Sequence, residues 1–143
     1  MSNRKIVTGE MARAVAQACL MPRLRVARMT LAQRPGQPDA ALVEAQPQEV
    51  IVTQSVDEVF ASIEVTLAGR VATETFLQAR LDSAASDLVA ATQLALRSVA
   101  QCGMGDTLFS AALTPEQMYA DPALRAQTEA LLRQAHDAAR ALL

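Results

Sequence analysis

The stretch Ala68-Gly69-Arg70-Val71-Ala72-Thr73-Glu74, followed by Ser86-Asp87-Leu88 and then by Gly103-Met104-Gly105-Asp106-Thr107-Leu108, decides the reading of this chain. Just upstream, Ser55-Val56-Asp57-Glu58 has the form of a capping box. The serine hydroxyl accepts the Glu58 amide while the Glu58 carboxylate reaches back to the Ser55 amide. Val56, Val59, Phe60, Ile63 and Leu67 then share one helical face. Gly69 interrupts that face, which suits either a close helix–helix contact or a break, and Arg70 to Gln78 continues as helix. Leu81 to Ser83 reads as a turn. A long helix follows from about Ala84 to Gln101, with Leu88, Ala91, Ala95, Val99 and Cys102 expected inward. Gly103 can take the left-handed conformation just past its end at little cost.

Working outward, a first helix is expected from Asn3 to Leu20. Ile6, Val7, Met11, Ala14, Val15 and Ala18 recur there at three- and four-residue spacing and mark one apolar face. Pro22 stops it, because proline lacks the amide and clashes with the preceding turn. Arg23 to Leu31 alternates apolar and basic residues and reads as a strand with one wet face. Gln33 to Gln48 carries Pro35, Gly36, Pro38 and Pro47 and reads mostly as loop, with Ala41-Leu42-Val43 offering a short strand that would pair back on the first. Glu49 to Thr53 is a further strand. On the C-terminal side, Thr114-Pro115-Glu116-Gln117 is a second cap with proline at the first helical position, and Asp121-Pro122 repeats the device. Leu124, Leu131, Leu132, Ala135, Ala138, Ala139 and Leu142 give the last helix its stripe, and Thr128 is the polar member of that face.

The chain has 143 residues, 51% of them apolar and only 3% aromatic. That length suits one domain spanning 1–143, and an Ala- and Leu-rich apolar fraction favours packed helices over a sandwich. The expected fold is mainly α (α+β), helical with a small β-sheet or hairpin near residues 23–54. A net charge of −2 gives no case for nucleic acid, and the cluster Arg23, Arg25, Arg28 reads as a solvated strand face. No apolar run approaches the roughly 20 residues of a membrane span, and the N-terminus lacks the apolar core of a signal peptide. A cytoplasmic protein without membrane insertion is expected. Cys19 and Cys102 form no C-x-x-C pattern and read as two buried, reduced thiols.

In order and spacing the quoted motifs resemble the zinc-metalloprotease domain of the FtsH-type AAA proteases. There the pattern runs G-G-R-x-A-E-E, then N-D-L or S-D-L, then G-M-S-D-x-L. Arg23 to Leu31, Val50 to Phe60 and Asp121 to Leu143 are similar to further segments of that domain, so the likeness covers nearly the whole chain. His136 falls on an aromatic position of the family's closing helix. The resemblance implies an upstream H-E-x-x-H helix, whose two histidines bind zinc while the glutamate polarises the bound water, and an aspartate on the downstream helix that completes the site. Carried over, the first histidine falls on Gly9, the glutamate on Glu10, the second histidine on Arg13 and the aspartate on Asp87. Only Glu10 and Asp87 match. Gly9 offers no side chain, and Arg13 is permanently charged and cannot ligate a metal. Asp82-Ser83-Ala84 also replaces the family's glycine-containing turn.

The resemblance therefore implies a degenerate peptidase-like domain with vestigial positions Gly9, Glu10, Arg13 and Asp87, no cofactor, and zinc expected to be absent. With the fold kept, Arg13 is expected to point at the vacated place and pair with Asp87, with Glu10 nearby, as a cross-helix tie in place of the metal. The rival reading is three independent solvated charges. The leading functional expectation is a non-catalytic domain that binds a protein or peptide, self-associates, or assembles with an AAA protease. The family's membrane anchor and ATPase module are expected to be missing or supplied by another chain. Two alternatives stay open: a hydrolase using Glu10 and Asp87, and a zinc protease with substitute ligands. A site made by His136 with Cys19 or Cys102 finds no local support.

Overall fold

Residues 2–21, 24–32, 40–47, 53–106, 108, 110 and 112–143 are described by the computed structural model. The chain is mainly helical. Its order is α1 (Ser2–Leu20), β1 (Leu24–Ala32), β2 (Ala40–Pro47), α2 (Val56–Leu77), a 3₁₀ turn (Asp82–Ala84), α3 (Ala85–Ala100), α4 (Pro115–Ala120) and α5 (Pro122–Leu142). The backbones of β1 and β2 pair antiparallel, with Leu24 opposite Pro47, Ala32 opposite Ala40, and an irregularity between Val26 and Arg28. Of the expected strand at Glu49 to Thr53, Thr53 is irregular and the remainder lies outside the described residues. Of the loop expected over 33–48, Ala40–Pro47 is instead strand β2, longer than the short strand expected at Ala41-Leu42-Val43, and the rest lies outside the described residues.

Helix ends follow local chemistry. Ser55 and Glu58 make both halves of the capping box, the Ser55 amide donating to Glu58 Oε2 at 2.8 Å and the Glu58 amide to Ser55 Oγ at 3.2 Å. Thr114 and Gln117 repeat it at α4. Asp121 Oδ1 accepts from the amides of Ala123 and Leu124 at 2.8 and 3.1 Å, with Pro122 at the first helical position of α5. These bonds satisfy amides that a helix start leaves orphaned. α2 ends with Gln78 in the left-handed region at φ 49°, and Gly103 takes φ 62° beyond the end of α3.

α2 is the central element. It buries residues on every side, including Val59, Ile63, Val65, Leu67, Ala68, Val71 and Ala72, as expected of a helix surrounded by others. Val59, Ile63 and Leu67 pack with Ala91 and Ala95 of α3 and Ala135 of α5. Val65 and Ala68 pack with Ala16 of α1. A third cluster joins Leu96 and Ala100 of α3 to Met118 of α4. Gly69 does not break α2. It sits at the crossing with α1, where a Cβ would lie 3.4 Å from the carbonyl oxygen of Gly9.

That crossing corrects the expected face of α1. Met11 and Val15 are 54% and 49% exposed and Ala18 is exposed, whereas Ala12, Ala16 and Gln17 are buried. Close approach of the two backbones selects small residues for the interface and turns the bulkier side chains outward. Two further expectations fail. Cys19 and Cys102 are free but exposed, because α1 buries its opposite side and Cys102 lies past the end of α3. The turn at Leu81 to Ser83 is instead a 3₁₀ turn at Asp82–Ala84 running straight into α3.

Candidate functional site around Arg13

Gly9, Glu10 and Arg13 lie on the face of α1 that meets α2, and Asp87 lies in the first turn of α3. Arg13 Nη1 donates to Glu10 Oε1 at 2.8 Å, one turn back along the same helix. Its other terminal nitrogen, Nη2, donates to Asp87 Oδ2 at 2.6 Å, across 74 residues of chain. One guanidinium thus joins two carboxylates on two helices, which its fork of five donors permits and a lysine ammonium does less well. The Arg13 and Asp87 side chains are 27% and 24% exposed and that of Glu10 is 15% exposed, so the group is partly shielded from water. The glycine at position 69 is part of the arrangement, since a Cβ there would stand 3.3 Å from Arg13 Nη2.

These charges line a cavity of about 190 Å³ with Lys5, Thr73 and Ser86 on its walls. Burial pushes the Glu10 carboxyl above its ordinary value. The Arg13 charge opposes that rise and the Asp87 charge adds to it. The site therefore holds one carboxylate reluctant to ionise and one cation that draws it back toward ionisation.

A second charged cluster lies near the C-terminal end of α2. Glu74 Oε1 meets Arg70 Nη2 at 2.9 Å and Arg80 Nε at 3.5 Å, and Glu74 Oε2 lies 3.0 Å from His136 Nε2. Burial would raise the Glu74 carboxyl, but the His136 hydrogen bond and the charges of Arg70, His136 and Arg80 outweigh it and hold the carboxyl below its ordinary value. Sequence reading quoted Arg70 and Glu74 as motif residues but gave them no role. Their four-residue spacing on a helix was the available signal. His136 is half-buried against Glu74.

A profile of peptidase family M41, the FtsH-type protease domain, matches residues 2–141. The chain belongs to peptidase family M41. No curated protein matches it. Among the described residues, the lining around Arg13 offers a metal two carboxylates, Glu10 and Asp87, and no imidazole or thiol. Among the described residues no group of three or more His, Cys, Asp or Glu is placed to hold a metal. Arg13 presents a fixed cation that already occupies Asp87. A guanidinium has no lone pair to offer a metal and repels it. Gly9 and Gly69 meet backbone to backbone, and a Cβ at Gly9 would lie at ordinary contact distance from the Gly69 carbonyl oxygen, 3.5 Å.

Proposed function

We propose that this chain is a non-catalytic M41-fold domain that works by binding, with Arg13 filling the role of a structural tie where the family places its metal. The observation that supports this reading is the pair of contacts from Arg13 to Glu10 and Asp87 at 2.8 and 2.6 Å. The two carboxylates that a hydrolase would need are both engaged by the same guanidinium. A general base needs a free acceptor aimed at its proton, and Asp87 is already paired. Binding would take the form of association with a peptide, a partner protein or a second copy. Among the described residues no helix is long and apolar enough to cross a membrane.

One observation favours the rival hydrolase reading. Glu10 has its carboxyl raised by burial and faces a cavity, the environment of many catalytic acids. Incubating the protein with fluorescein-labelled casein, with and without added zinc, separates the two. The binding reading expects no hydrolysis above a protein-free control. Hydrolysis that is lost in Glu10→Gln would establish the enzyme instead.

A further inference from the structure

A second cavity, larger than the one at Arg13, lies away from it and shares no lining residue with it. It holds about 420 Å³ between the start of α2, the loop after α3 and one face of α5. This is within the roughly 300–1,000 Å³ of ordinary ligand sites. Its floor is apolar, made by Phe60, Ile63, Val99, Met104 and Leu131. Asp57 and Asp106 stand at its edge, both exposed, and the described lining includes no lysine, arginine or histidine. Neither aspartate has an ion-pair partner among the described residues.

The shape argues for a chain rather than a compact molecule. Gln127, Ala130, Leu131 and Gln134 border the groove along α5, and this spacing puts them on one ridge. At about 1.5 Å per helical residue the ridge runs roughly 10 Å, the length of about three extended residues. Two exposed glutamine amides, seven positions apart, offer a donor and an acceptor each to a backbone beside them. We propose that this groove docks a short segment of a partner protein that presents an apolar side chain next to a lysine or arginine. The apolar side chain enters over Phe60 and Met104, and the cation meets Asp57 or Asp106.

This inference rests on the binding reading above and gives it a place and a chemistry. The test uses the full chain and fluorescein-labelled, end-capped Leu-Lys-Leu-Lys-Leu, followed by fluorescence anisotropy. Leu-Glu-Leu-Glu-Leu and Ser-Lys-Ser-Lys-Ser serve as comparison peptides. Saturable binding at least about tenfold tighter than either comparison peptide is expected, weakening as salt is raised. Asp57→Asn/Asp106→Asn should weaken it about five- to tenfold and flatten the salt dependence. Ala130→Arg should abolish it, because an exposed helical position then places a long cation across the groove. Both variants alter exposed residues, and circular dichroism checks that they fold. No binding of the Leu-Lys peptide, or binding untouched by both variants, would overturn the groove. Mass spectrometry of the recovered peptide keeps the two readings apart: fragments that vanish in Glu10→Gln contradict the non-catalytic reading and leave the groove standing.

Discussion

At the scale of single residues, Arg13 is the decisive one. A charged pair with both partners less than a third exposed lies between surface ion pairs, worth about 0–1 kcal/mol, and buried ones, whose rupture costs about 3–5 kcal/mol. A double-mutant cycle of Arg13→Ala and Asp87→Ala, read by urea unfolding, should return a coupling of about 1 kcal/mol favouring the pair. Coupling indistinguishable from zero would mean that the contact contributes nothing to the fold. The sequence offered this pairing only as one of two open readings, a cross-helix tie or three solvated charges, and the contacts at 2.8 and 2.6 Å favour the tie. The rise of the Glu10 carboxyl was not legible, since it depends on how deeply two other helices cover that side chain.

At the scale of elements, the junction of α1 with α2 shows where periodicity misleads. Counting large apolar residues placed Met11 and Val15 inward, yet the interface is built from Gly9, Ala12 and Ala16 against Ala68 and Gly69. Hydrophobic bulk cannot signal a contact whose purpose is closeness. The two glycines should respond differently to substitution. Gly9→Ala adds a Cβ at ordinary contact distance, 3.5 Å from Gly69, and gains helix propensity, so it should be neutral or stabilise by up to about 1 kcal/mol. Gly69→Val pushes its branches into Arg13 and the Gly9 carbonyl and should cost about 1–3 kcal/mol. Thermal melts of the two variants check the asymmetry, and equal losses would contradict it. The caps at Ser55, Thr114 and Asp121 were readable outright, because each depends only on residues within one turn.

At the scale of the whole molecule, the fold was legible because the order of the motifs is kept along the chain. The motif around Arg70, the one around Asp87 and the last helix keep their order, and the M41 match spans residues 2–141. The cluster around Glu74 was less legible, since it joins α2 to α5 across 62 residues. It also sets an expectation for acid. Glu74 has its carboxyl lowered in the fold, so its ionised form is favoured there. Its contribution is complete above the ordinary value of 4.5 and is lost as pH falls through the lowered folded value. Urea midpoints of the wild type should therefore fall below about pH 5. Glu74→Gln should show a shallower fall and a lower midpoint at neutral pH. Glu10 acts with the opposite sign: its carboxyl is raised, so its contribution is present below 4.5 and is lost as pH rises through the higher folded value.

All three scales bear on the proposal that a fixed cation stands where the family binds its metal. Metal content by inductively coupled plasma mass spectrometry, on protein purified without chelator and then equilibrated with zinc, tests it most directly. The wild type should carry far less than one zinc per chain, and Gly9→His/Arg13→His, which returns two imidazoles beside Asp87, should carry close to one. A wild-type chain holding one zinc that is lost in Glu10→Gln or Asp87→Asn would contradict the account.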